Sequence, residues 1–248
     1  MLTGRFLLGR GRDLMSDAER QALEDAVGST KVYPGRRQLN RVGERVEHST
    51  LLLEGQMGRY MHSRDGERQL VAIHVPGDFV DLHGFPMHRL DHEIATLGPA
   101  KVALFDHRTL TQLTEAMPRL TRRLWFSTLL ESAIHREWIF RLGRLNAEGR
   151  VAHFMCELNE RLDMVGLARD GQFDTPLIQA DIAEACGVTS VHVNRVLRTL
   201  REQGLLTFRQ GSVSILDRAN LARLGEFNPV YLYGDDTAWG LARERSNA

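Results

Sequence analysis

The sequence predicts an α+β fold: an antiparallel β-roll over residues 1–117, one long helix over 118–146, and a winged helix-turn-helix over 147–248. Three observations predict it. Residues 177–216 place two short amphipathic helices on either side of Gly187 and follow them with a hairpin pattern. Between Lys31 and Asp106, short β-type runs alternate with turn signals such as Pro34-Gly35, Asp65-Gly66, Pro76-Gly77 and Gly98-Pro99. From Pro118 to about Leu145, apolar residues recur at three- and four-residue steps. A chain of 248 residues can bury a separate core in each of two modest domains.

The elements follow in order. Ser16-Asp17-Ala18-Glu19 is a capping box, and Ala22, Leu23, Ala26 and Val27 give the helix behind it an apolar stripe. Residues 51–53, 58–61, 69–75 and 101–105 read as strands of the roll. Pro118 suits the first turn of the long helix, whose stripe is Leu120, Leu124, Ile134, Trp138, Leu142 and Leu145. Ser127 and Glu131 interrupt any strict coiled-coil seam, so this helix is a candidate either for pairing two copies or for packing on its own β-domain.

In the carboxy-terminal part, Ile182 and Ala183 define one apolar face, and Val193, Val196, Leu197 and Leu200 a second. Gly187 suits a left-handed helix end, and Thr189 can cap the next helix by accepting from an orphan backbone N–H. The opposite face of that helix carries Ser190, His192, Asn194, Arg195 and Arg198, side chains suited to phosphates and base edges in a major groove. After Gly204, residues 205–209 and 212–216 flank Gln210-Gly211 as the wing. Thirty-two Lys+Arg balance 32 Asp+Glu, so the basic signal is local: Arg195, Arg198, Arg201 and Arg209 against Glu202. Salt-dependent binding to double-stranded DNA is expected. A short helix from 217 to 226 follows, and the aromatic residues Tyr231, Tyr233 and Trp239 suit either packing back on the winged domain or a partner-binding strand, between which the sequence does not choose.

Other chemistry is sparse. Two cysteines, Cys156 and Cys186, make no disulfide framework and no CxxC pair; both read as small buried hydrophobes, with oxidation sensing at Cys186 the alternative. No apolar run reaches membrane-spanning length and no signal-peptide core opens the chain, so a cytoplasmic protein with no membrane partner is expected. No nucleophile elbow, phosphate loop, dinucleotide fingerprint or HExxH helix occurs, so the chain is not expected to be an enzyme. The segment 81–93 concentrates His83, His88 and His92 beside Asp81, Asp91 and Glu93. These are candidate metal ligands or pH-sensing groups, or simply hydrogen-bonded loop histidines; Pro86 argues against one continuous helix through them. They leave open a metal-responsive reading through His83 and His92, or an enzymatic one. An interaction module with a silent helix-turn-helix is a further alternative.

The order β-roll, long helix, winged helix-turn-helix resembles the CRP/FNR family of bacterial transcription regulators. The resemblance rests on residues 51–80 (LLLEGQMGRYMHSRDGERQLVAIHVPGDFV), 144–158 (RLNAEGRVAHFMCEL) and the winged segment. It implies a cyclic-nucleotide-binding-like β-roll that senses a signal, a homodimer gripping a palindromic operator, and RNA polymerase as a further partner. In the family a glutamate and an arginine of the reading helix contact bases. Arg195 matches the arginine, whereas Val191 stands at the glutamate position and suits a thymine methyl. Asn194 is then a candidate for adenine, Thr189 and Ser190 for phosphate, and Arg209 for the backbone. The family's phosphate cradle uses an arginine followed by serine or threonine; that position falls near Asp91–Glu93 here, which disfavours cyclic AMP. The candidate effector pocket comprises Gly77, Asp78, Phe79, His83, Arg89, His92 and Trp138. Residues 1–30 hold no cysteine, so no iron–sulfur cluster of the family's oxygen-sensing type is expected, and the effector is open.

Overall fold

In the computed structural model, residues 1–235 are described. The amino terminus forms two 3-10 turns, Leu2–Arg5 and Arg12–Leu14, and is tied to the first helix, α1 (Asp17–Asp25), where the Glu24 carboxylate accepts from the Leu2 and Thr3 amides at 2.6 and 2.9 Å. The capping box at Ser16 and Glu19 is formed. Six strands follow: β1 (Ser29–Tyr33), β2 (His48–Glu54), β3 (Met57–His62), β4 (Arg68–His74), β5 (Glu93–Thr96) and β6 (Ala100–Asp106). They build two antiparallel sheets in the orders β1-β6-β2 and β4-β3-β5. Leu52, Met57, Val80, Leu90, Ile94, Val102 and Leu104 fill the space between them.

Two strands escaped the sequence reading. β1 is exposed along nearly its whole length, so no alternation marks it, and β5 is four residues long behind an acidic loop. Between β4 and β5 lies one helical turn, α2 (Gly84–Met87), with Pro86 inside it. A first-turn proline loses no intrahelical bond, and the turn stops at His88 (φ 60°).

After α3 (His107–Ala116), the long helix α4 (Pro118–Arg144) opens on its proline, and α5 (Ala147–Met164) starts where Asn146 caps the Gly149 amide. Leu120, Leu124, Ile134, Trp138 and Leu145 are all buried within the chain. Most of the stripe that predicted α4 therefore faces inward, with Leu142 only half-buried. A second apolar set lies on its outer side: Trp125, Leu129, Ile139 and Phe140, at 63, 53, 72 and 39 % exposure.

The carboxy-terminal part contains β7 (Ala168–Arg169), β8 (Gln172–Asp174), α6 (Gln179–Cys186), α7 (Ser190–Glu202), β9 (Leu206–Arg209), β10 (Ser212–Ile215) and α8 (Arg218–Leu224). The wing is a four-stranded sheet, β7-β8-β10-β9, rather than a lone hairpin. Its additional hairpin turns at Asp170-Gly171, both at positive φ, a signal present in the sequence but flanked by strands too short to show a period. Tyr231 packs back, stacking on His153 and donating to Glu157 at 2.8 Å, and Tyr233 meets Phe126 edge-on. Trp239 lies outside the described residues. One core runs without a break from Tyr60, Leu70 and Ile73 of the roll through Trp138 into the winged domain.

Candidate nucleic-acid interface

α6 and α7 meet at a tight turn whose chemistry is local. Gly187 adopts φ 61°, ψ 43°, and its amide and that of Val188 return to the Ala183 carbonyl region of α6. Thr189 then caps α7, its hydroxyl accepting from the His192 amide at 3.2 Å. Val193, Val196 and Leu200 are buried beneath α7. Their spacing turns Ser190, Val191, His192, Asn194, Arg195 and Arg198 outward, and all six are exposed.

Among the described residues Arg195 makes no hydrogen bond or ion pair, while Asn194 donates to Gln179 at 3.2 Å. Arg198 is held by Glu202 one turn on, at 2.7 Å; both ends are exposed, so solvent screening leaves the guanidinium free to exchange that carboxylate for a phosphate. Val191 is 64 % exposed, an apolar contact surface on an otherwise polar helix. Arg209 closes the wing opposite Ser212 across a turn in which Gln210 and Gly211 both have positive φ, as a two-residue hairpin loop requires. Helix and wing thus each expose arginine side chains, Arg195 and Arg198 on α7 and Arg209 on β9.

Several groups that the sequence did not single out fix this reading head on the body. Arg36 grips Asp181 with both nitrogens, at 2.6 and 2.8 Å, and Asp181 also accepts from the Ile178 amide at the start of α6. Arg68 lies over the Tyr60 ring at 4.2 Å and bonds Glu184, whose carbonyl accepts from Gln69. At the other end of α6, the fully buried Arg141 of α4 donates to the Ala185 carbonyl at 2.8 Å, and Arg150 reaches the Cys186 carbonyl at 3.3 Å. Arginines scattered through strands and helices give no period, so only the folded chain reveals that they converge.

The candidate effector residues divide between two places. His83, His92 and Trp138 line a cleft of about 530 Å3 between the roll and α4, together with Arg59, Asp91 and His135. Gly77, Asp78 and Phe79 instead border a second, smaller void of about 40 Å3, which shares Arg59, Glu131 and His135 with the cleft. There Asp78 accepts from Arg161 at 2.7 Å and from the Val75 amide at 2.9 Å, and Gly77 (φ 101°) sits against the Arg5 carbonyl, leaving no room for a Cβ. Arg89 belongs to neither: it is exposed and donates to the Gly43 carbonyl. His88 is likewise turned to solvent by the left-handed end of α2, which removes it from the histidine set. Glu131, which interrupts the α4 stripe, holds the buried Arg59 at 2.8 and 3.1 Å.

Electrostatics at the cleft favour neutral imidazoles. Burial, then the Arg59 charge, pushes His83 down to about 3 and lowers His92. Asp81 is satisfied elsewhere, accepting from the Thr50 amide and hydroxyl at 2.5 and 2.8 Å; burial nevertheless pushes its carboxyl up to about 7. Cys186 is completely buried and its thiol is pushed up to about 11 by burial, the opposite of a reactive thiolate, and Cys156 is raised to about 12. We expect native protein at neutral pH to resist thiol alkylation and denatured protein to take two labels per chain; mass spectrometry distinguishes them, and rapid native labelling at Cys186 would contradict this burial.

A β-roll joined by a long helix to a winged helix-turn-helix with an exposed reading helix defines a DNA-binding regulator. Residues 149–224 match the Crp-like helix-turn-helix domain. Over 176 residues the chain is 32 % identical to the nitrogen fixation regulation protein FixK of Bradyrhizobium diazoefficiens, covering 70 % of this chain and 72 % of that one. It is 22 % identical over 210 residues to the fumarate and nitrate reduction regulatory protein of Vibrio cholerae, covering 85 and 84 %. The structure of FixK2 from Bradyrhizobium japonicum superposes with a TM-score of 0.72 at 26 % identity, over 79 % of this chain and 96 % of that one. The chain belongs to the CRP/FNR family: it is a DNA-binding transcription regulator and not an enzyme. Among the described residues no helix is long and apolar enough to cross a membrane.

Proposed function

We propose that two copies pair along the outer face of α4 and set their α7 helices in successive major grooves of a palindromic operator. The observation that carries this reading is the presence of two exposed surfaces on one chain. One is the polar face of α7, on which Arg195 has no partner among the described residues; the other is the apolar set Trp125, Leu129, Ile139 and Phe140. The 125, 129, 132, 136, 139 spacing along that side of α4 alternates four and three residues, the step of a helix pair, with Ser132 and Arg136 as its polar members. A two-fold axis there turns each winged domain toward its own half-site. Residues 1–117 serve as the sensory part, 118–146 as the pairing helix and 147–248 as the reading part, with RNA polymerase the partner that relatives of this class recruit.

Within α7, Arg195 reads a guanine, Asn194 an adjacent adenine and Val191 a thymine methyl, while Thr189, Ser190, His192, Arg198 and Arg209 position the backbone. Arg195→Ala is expected to cost about 1–3 kcal/mol per half-site and to relax preference at the matching base pair of each half-site. Arg209→Ala weakens all duplexes alike and lowers the slope of log K against log salt by about 1 per copy, or about 2 for the dimer. Titrations of operator variants at several salt concentrations test both, and an unaltered base preference in Arg195→Ala would remove it from the reading set.

A further inference from the structure

The segment linking β4 to β5 doubles back so that His83, immediately before α2, meets Asp91 and His92, immediately before β5. One donor atom from each lies within 4.8 Å of the other two. The two imidazole rings sit 5.1 Å apart, tilted by 38°. His92 Nδ1 is 2.8 Å from Asp91 Oδ1, whereas its Nε2 is buried with no hydrogen-bond partner, in a side chain only 8 % exposed. An imidazole nitrogen left dry in this way loses its hydration without compensation, which native structures rarely tolerate unless something else occupies the position.

From this geometry we propose that His83, Asp91 and His92 bind one divalent ion of the zinc class, its fourth position facing the cleft under α4. Two imidazoles and one carboxylate form the donor set of many open zinc sites, and the nitrogen donors select against magnesium and calcium. Tetrahedral ligation at about 2.0–2.1 Å places donors about 3.3 Å apart, so the three groups, now within 4.8 Å of one another, need to close by up to about 1.5 Å. Asp91, 79 % exposed, has the freedom to do so, and His83 stands at the start of a single helical turn. Burial disfavours the charged form of both imidazoles, which suits them to ligate. Among the described residues the only arginine or lysine in the cleft wall is Arg59, which is matched by Glu131 at 2.8 Å, and Asp91 supplies the negative charge that an incoming ion requires. Glu93, the next acidic residue, is engaged by His62 at 3.2 Å and stands outside the set.

Binding of the ion is independent of the DNA reading and is tested apart from it. Full-length protein, stripped with chelator, is titrated with Co2+ and then Zn2+. One equivalent of Co2+ is expected to develop the visible bands of a four-coordinate nitrogen–oxygen site. Zn2+ then abolishes them, and excess Mg2+ does not. His83→Ala/His92→Ala is expected to abolish binding, and Asp91→Asn to weaken it by about ten-fold or more, while His62→Ala leaves it unchanged. Asp91 is exposed, so its variant keeps the test open if the double variant does not fold. Full binding in either the double variant or Asp91→Asn, or no saturable first equivalent in the parent protein, would overturn the proposal.

Discussion

Leu129→Glu combined with Ile139→Glu is expected to yield a monomer that no longer recognises an operator at concentrations where the parent protein saturates it. Both side chains are largely exposed in the single chain, at 53 and 72 %, so the substitution leaves the fold of each copy intact. Across a two-fold axis every change appears twice. A charge placed in the centre of such an interface costs at least about 2 kcal/mol per copy, or about 4 per dimer, which is about a thousand-fold in the dimer dissociation constant. Sedimentation reports the association state and mobility shift the DNA binding. A variant that stays dimeric and binds normally would move the two-fold axis away from this face of α4.

Glu157→Ala is expected to destabilise the protein by about 3–5 kcal/mol, the range for breaking a buried ion pair from one side. The carboxylate is 2 % exposed and accepts from Trp138 Nε1 at 3.0 and 3.1 Å, from the Tyr231 hydroxyl at 2.8 Å and from Arg161 at 3.3 Å. Arg161 in turn bonds the Ile73 carbonyl and Asp78, both at 2.7 Å. One side chain therefore joins α4, α5, the segment after α8 and the end of β4. Glu157→Gln keeps the shape and a share of these bonds and should fall between parent and Ala variant. Urea unfolding followed by tryptophan fluorescence measures the series; equal stability of all three would show that the network is not what fastens these elements.

The parts that the sequence disclosed are those whose cause is local. A turn glycine, a threonine cap and a 3.6-residue period lie within a few positions of each other, so residues 187–200 announce the reading helix before any fold is known. The Ser16–Glu19 box and the proline opening α4 belong to the same kind. Side-chain direction on a long helix is different: two apolar stripes coexist on α4, and only packing decides that Leu124 and Trp138 turn inward while Leu129 and Ile139 turn outward. The candidate pocket residues divide for a related reason. Asp78 and Arg89 are near His83 along the chain, but the chain reverses at α2 and sends them to other partners, Arg161 and the Gly43 carbonyl. Arg59, Glu131 and Arg141 were invisible as a group because their partners are 72, 72 and 44 positions away.

α6 is gripped along its own axis, by Arg36 on Asp181 in its first turn and by Arg141 and Arg150 on the carbonyls that close its last. Tilting such a rod breaks a bond at one end or the other, including those to buried carbonyl oxygens, which are costly to strand. Its flank is tied as well, by Arg68 on Glu184. Since α7 joins α6 through the fixed geometry of Gly187 and buries Val193, Val196 and Leu200 in the same core, the reading helix takes its bearing from the body of the molecule, as a keel takes its line from the hull.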